Sequence, residues 1–168
     1  MANPMTMDRN LALEVVRRAL ENAGYGTRPF PGERTSVIVG SGGGMSDLGQ
    51  LYSFRANLPS FLKKVPEELL ARLPEWTEDS FPGTLVNVIA GRIANRLDLG
   101  GTNFTVDAAC GSSLAAMHVA VRELETGSSD LAIAGAVDTI QNPHAYLCFS
   151  KTQALSPRGR CRTFDANT

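Results

Sequence analysis

The chain has 168 residues, 43% of them hydrophobic and 20% charged, with a net charge of −1. That is the size and balance of one globular domain with a core of its own. The charge offers nothing to nucleic acid or to an acidic membrane surface, and no apolar run reaches the length of a membrane span. The N-terminus MANPMTMDRN lacks the basic start and apolar stretch of a secretory signal, so the expected location is the cytoplasm. Cys110, Cys148 and Cys161 are odd in number and irregularly spaced, a poor disulfide framework. His144, Cys148 and Cys161 match no metal-ligand spacing and no fourth ligand is evident, so no metal is expected; Cys148 and Cys161 read as small buried or half-buried residues.

In chain order, the spacing predicts a helix over 8–23. Ala12, Val15, Val16, Ala19, Leu20 and Ala23 would form its apolar face, Asp8 its N-cap and Gly24 its C-terminal stop. A buried strand follows over 35–39, TSVIV, leading into the glycine turn GSGGGM. That loop fits neither GxGxxG nor GxxxxGK[ST], so it reads as a tight turn and not as a nucleotide site. The stretch from Ser46 on to Trp76 carries mixed signals and reads as an excursion from the sheet with short helices, one of them beginning near Pro66.

A second helix is expected over 80–97, with Pro82 in its first turn and Leu85, Ile89, Ile93 and Leu97 as a stripe. A strand is expected to start at Asn103 and end at Ala108. A helix over 112–125 would carry Leu114, Met117, Val121 and Leu124 on one face. The alanine-rich strand 130–137 reads as central, and the chain after Asp138 as irregular. Strands alternating with helices give an α/β layered fold. Both ends read as cut.

The chemistry concentrates at Val106-Asp107-Ala108-Ala109-Cys110-Gly111-Ser112-Ser113-Leu114. A strand ends and a helix begins at once, with small residues Ala108 and Ser112 on either side of Cys110. A sharp strand-to-helix turn needs small flanking residues and lifts one side chain clear of the sheet, the geometry of a nucleophile elbow with sulfur in place of oxygen. Unpaired N–H groups at a helix start favour negative charge nearby, and the thiolate is the nucleophilic form of cysteine. The same N–H groups can hold an oxyanion. Spacing alone leaves a second reading open, in which Cys110 is a small buried residue in a crowded turn. Asp107 and Asp138 read as structural hydrogen-bonding residues, His118 and His144 as a helical and a loop residue, and Arg158, Arg160 and Arg162 as a solvated basic run.

VDAACGSSLAAMHVAVRELETGSSDLAIAGAVD resembles the active-site block of β-ketoacyl synthases, where a Val-Asp-x-Ala-Cys-x-Ser-Ser motif precedes a helix and an alanine-rich strand. DRNLALEVVRRALENAGY, TSVIVGSGGG, NVIAGRIANRLDLGG and ALSPRGRCRTFDA resemble that family's blocks on either side, in the family's order. Modular polyketide synthases often have Ser where this chain has Gly111. The block is similar to those of iterative type I synthases of the polyunsaturated fatty acid or enediyne kind.

The resemblance implies a thiolase-like layered α/β fold, with residues 1–168 as the N-terminal domain, cut at both ends. It implies an acyltransferase in which Cys110 takes an acyl group from an acyl carrier protein as a thioester, and a malonyl carrier protein then loses CO₂ and attacks that thioester. Phosphopantetheine would enter only as the carrier protein's arm, and no resident cofactor is implied. The Arg158–Arg162 run is a possible neighbour of that arm. The family is dimeric through the strand leading to the nucleophile, here the one from Asn103 to Ala108. It also uses two histidines from a C-terminal half, whose motifs are absent from this sequence, so the fragment alone is expected to be inactive. Two competing readings are a cysteine hydrolase with an elbow and a non-catalytic condensing-enzyme partner; Cys110 itself speaks against the second.

Overall fold

A computed structural model describes residues 4–42, 47–139 and 142–166. Three parallel strands form its centre: β1 (Thr35–Gly40) lies between β2 (Asn103–Val106) and β3 (Leu131–Ala136). Every residue of β1 is buried, as its run of β-branched side chains predicts. Side chains alternate across the sheet, so Val37 and Val39 face one layer and Ile38 the other.

The first layer holds α1 (Pro4–Asn22) and α5 (Val88–Arg96). Ala12 and Val16 of α1 pack with Ile89, Ala90, Ile93 and Ala94 of α5 on Val37 and Val39. The second layer is α6 (Ser112–Glu125), whose Ala116 and Ala120 pack on Ile38. The result is an α/β sandwich, as expected.

Several boundaries differ from the sequence reading. α1 starts at Pro4, so Asp8 lies within the helix instead of capping it. Its buried face turns toward Leu13, and Val15, Ala19 and Ala23 are exposed. Gly24 does end it, at φ +83, where Tyr25 N–H reaches Leu20 O at 2.8 Å. Within the glycine turn, Gly43 and Gly44 lie outside the described residues.

The expected helix 80–97 is two helices, α4 (Ser80–Thr84) and α5, separated by Leu85 in extended conformation at φ −83, ψ 117. Gly83 and β-branched Thr84 are weak helix formers, and Thr84 Oγ1 bonds back to Phe81 O at 2.9 Å. The two pieces also serve different layers. α4 belongs to the excursion, where Ser80 Oγ donates to Tyr52 Oη at 2.8 Å and Tyr52 Oη donates to Glu75 O at 3.1 Å. α5 belongs to the sheet.

The excursion itself holds α2 (Asp47–Phe61), with Pro59 inside it, and the short α3 (Glu67–Leu70) after Pro66. Leu48, Tyr52, Leu58 and Leu73 are its buried apolar residues, and Trp76 stacks on Tyr52 at 4.6 Å.

β3 is an outer strand among the described residues, with Ala134 and Ala136 exposed, not a central one. Its start is tied to that of β1. Arg34 donates from Nε and Nη2 to the Asp130 carboxylate, both at 2.9 Å, and from Nη2 to Gly127 O at 2.6 Å. That guanidinium holds the Asp130 carboxyl below its ordinary range. After Asp138 the chain forms α7 (Pro143–Lys151) instead of staying irregular, because Asn142 Oδ1 accepts from Ala145 N–H at 2.8 Å and Pro143 suits the first helical turn.

The packing of α6 makes a prediction. Ala116 is fully buried. Ala116→Leu should destabilise the fold by about 1–3 kcal/mol through overpacking, read as a lowered urea midpoint.

Candidate active site

β2 ends at Val106, two residues before the expected end of the strand. The chain then makes one 3₁₀ turn, Ala109–Gly111, and enters α6 directly. Cys110 is the middle residue of that turn and is exposed to solvent. The reading of Cys110 as a buried space-filler is therefore wrong, and the elbow reading holds in its geometry.

The turn is sharp because Ala109 adopts φ +48, a left-handed conformation uncommon for a residue with a side chain. Its neighbours hold it there. Asp107 Oδ1 accepts the Ala109 N–H at 3.0 Å, the structural role expected for Asp107. Gly111 N–H donates to Ala108 O at 3.0 Å. Ser112 Oγ accepts from Ala108 N–H at 2.9 Å and donates to Ala109 O at 2.6 Å.

The sheet supports this turn from behind. A Cβ on Gly40 would sit 2.7 Å from both the carbonyl carbon and the carbonyl oxygen of Ser112, closer than real contacts allow. Glycine at the end of β1 thus lets the start of α6 come down onto the sheet. The sequence reading assigned Gly40 only to a tight turn. Its place one residue after a fully buried strand is the signal that a neighbouring backbone approaches there.

The remaining candidates lie elsewhere. His118 is exposed on α6, eight residues beyond Cys110, which is about 12 Å along a helix axis. His144 is on α7, one turn from Cys148, with Nε2 3.7 Å from Cys148 Sγ. Cys148 and Cys161 are exposed, contrary to the expectation of burial. A hydrogen bond with Thr163 Oγ1 at 3.1 Å draws the Cys161 thiol below its ordinary range. Arg158, Arg160 and Arg162 are exposed, and Arg162 reaches Asp165 at 3.7 Å. No helix among the described residues is long and apolar enough to cross a membrane.

The family model described as "Beta-ketoacyl synthase, N-terminal domain" matches residues 1–168. The chain belongs to the beta-ketoacyl synthase family. It is 37% identical, over 96% of its length, to one subunit of the polyunsaturated fatty acid synthase of Thraustochytrium sp., of which it spans 6%. Among solved structures, the ketosynthase from module 6 of the bacillaene synthase of Bacillus subtilis 168 superposes with a TM-score of 0.66 at 25% identity. That match covers 95% of this chain and 23% of the ketosynthase. A type II polyketide ketosynthase solved with its acyl-carrier protein shares the fold, at TM-score 0.67 and 17% identity, over 93% of this chain and 36% of that one. The thiolase-like α/β fold expected from the sequence is the one observed, and the chain spans a small part of the proteins it matches.

The seat of the turn can be tested. Gly40→Ala should lift the start of α6 and slow alkylation of Cys110 by iodoacetamide. Gly135→Ala in β3, where an added Cβ meets nothing within 4 Å, should leave that rate unchanged. Mass spectrometry of the labelled peptides reads both.

Proposed function

We propose that this domain supplies the acyl-accepting cysteine of a condensing enzyme that joins acyl and malonyl units by decarboxylative Claisen chemistry. One observation carries the reading: Cys110 stands exposed on a braced left-handed turn between β2 and α6, in a chain that belongs to the beta-ketoacyl synthase family along its whole length. In the first step the Cys110 sulfur attacks the thioester carbonyl of an acyl group on a carrier protein's phosphopantetheine arm. The C–S bond to the arm breaks, and the arm leaves as a free thiol with the proton that Cys110 gave up. In the second step a malonyl thioester loses CO₂, and the resulting enolate carbon attacks the acyl carbonyl on Cys110. The new C–C bond forms as the bond to Cys110 breaks, leaving a β-ketoacyl thioester on the carrier.

The turn also narrows where the oxyanion of each step finds donors. Ala108, Ala109 and Gly111 already use their N–H groups inside the turn. The Ser112 N–H is likewise spent on Ala109 O, which leaves the Cys110 N–H, at the positive end of α6, as the donor. Proton handling in the second step falls to the two histidines that the family resemblance assigns to a C-terminal half, since His118 lies far along α6.

The partner is an acyl carrier protein bearing acyl or malonyl thioesters, in polyketide or fatty acid biosynthesis in the cytoplasm. No cofactor resides in this domain. The acyl group on the intact protein should be found by mass spectrometry on the Cys110 peptide and should persist until a malonyl thioester is added. Rapid loss to water would instead indicate a hydrolase. Cys110→Ala should abolish both the adduct and product; product formed at the normal rate would sink the reading.

The working protein is a homodimer joined through β2. What supports this is the strand's position at the sheet margin, with β1 on one side. Thr102 O accepts from Val37 N–H of β1 and Val106 O from Ser41 N–H just past its end, so the intervening Asn103 and Thr105 turn their backbone groups the other way. Thr105→Pro removes one outward N–H while keeping the bonds to β1. It should weaken dimerisation of the full-length protein at least about tenfold, the loss expected for an interface hydrogen bond left half-made. Sedimentation over a dilution series reads it, and an unchanged dimer would exclude β2 as the interface.

A further inference from the structure

We infer that Ser112 is a positioning residue for thioester chemistry at Cys110, acting as a latch that holds Ala109 in its left-handed conformation. The inference rests on Cys110 being the acyl acceptor, but its geometry is independent of that role.

The Ser112 hydroxyl bonds to both flanks of Ala109. It accepts from the Ala108 N–H at 2.9 Å on the near side and donates to the Ala109 carbonyl at 2.6 Å on the far side. One hydroxyl can do both, because it has one proton and two lone pairs. The pair of bonds closes a loop around the residue at φ +48, directly before Cys110.

Burial makes this brace hard to replace. Ser112 is 6% exposed, so water has little access to stand in for its hydroxyl. Asp107 braces the same residue through the Ala109 N–H, but Asp107 is exposed and its bond competes with solvent. The Ser112 backbone is fixed in turn by the close approach of Gly40 beneath it. The latch is therefore anchored to the fully buried strand β1, and the sulfur's position is referred to the sheet and not to a mobile loop. A left-handed alanine is uphill of the ordinary backbone wells and persists only where its surroundings hold it. Without the hydroxyl, Ala109 should relax toward negative φ and swing Cys110 with it.

The test is a double-mutant cycle in the full-length protein, with two readouts. Iodoacetamide alkylation reports the Cys110 sulfur's presentation whether or not the protein condenses anything. Acylation by a short acyl thioester of N-acetylcysteamine reports its use.

Ser112→Ala should slow both about tenfold, equivalent to about 1.4 kcal/mol, with the KM for the thioester little changed because Ser112 does not touch substrate. Ala109→Gly placed in the Ser112→Ala background should restore most of the rate, since glycine takes positive φ without the side-chain penalty. A role for Ser112 in packing alone predicts no such rescue. A folded Ser112→Ala protein with unchanged rates overturns the latch, and so does a slowed one that Ala109→Gly leaves slow. If Ser112→Ala does not fold, amide exchange in the wild type decides: Ala108 N–H must be protected well beyond an open amide, and free exchange there overturns the inference. If wild-type Cys110 alkylates but never takes an acyl group, the acyl-acceptor reading fails while the alkylation cycle still judges the latch.

Discussion

The arrangement depends on how closely α6 approaches β1. The groups that α6 buries against it are small: Ser112 sits over Gly40, and Ala116 and Ala120 over Ile38. A helix that presents methyl groups to a sheet lies lower than one that presents leucines. Because it lies low, the chain has no room for a connecting loop between β2 and α6. One 3₁₀ turn has to do the work, and a turn that short needs a residue at positive φ. The exposed cysteine, the strained alanine and the buried serine therefore share one cause in the approach of two backbones.

The same packing sets what α6 does on its other side. Leu114, Met117, Val121 and Leu124 fall on one face at steps of three and four, the pattern of a core-facing stripe. Yet Leu114 is 70% exposed and the other three are also open, since the small residues have taken the sheet-facing side. A helix with small residues inward and large apolar residues outward has two partners, not one. The sheet is the first. The second would be a surface that covers the outward stripe, as the layered fold expected from the sequence implies.

The sequence revealed most where local chemistry and packing agree. β1 was legible because TSVIV is apolar and β-branched throughout, and Gly24 was legible because only a left-handed stop suits that point. The exposed turn at Cys110 was legible because small residues flank it at a strand-to-helix junction. The errors have a common physical origin in tertiary context. The stripe through Leu85 and Ile89 implied one long helix, but Gly83 and Thr84 break it where the chain passes from the excursion to the sheet. Alanine-rich β3 looked central although it is marginal among the described strands, because alanine does not distinguish a covered face from a bare one. Two readings missed a local signal: Gly40, whose place at the end of a buried strand marks a close backbone approach, and α7, where Asn142 and Pro143 form a cap and first turn that were legible in advance.

Function divides along the same lines. Acyl transfer to sulfur, as proposed for Cys110, requires an exposed, fixed thiol and a nearby N–H donor, and the β2–α6 junction offers the exposed Cys110 and its own N–H. Decarboxylation and enolate attack require proton donors on the far side of the thioester, facing the sulfur across the substrate. Nothing on β2 or α6 can face Cys110 in that way, since both elements lie behind it. On the proposed function, groups for the second step would come from a surface that closes over the open side of the turn. The unpartnered stripe of α6 starts beside Cys110, so a surface that packs on that stripe is brought to the thioester by the same contact. On the proposed function, a surface that packs on α6's outer face would complete the core and bring its own groups to Cys110 through the same contact, with that burial supplying the free energy that positions them.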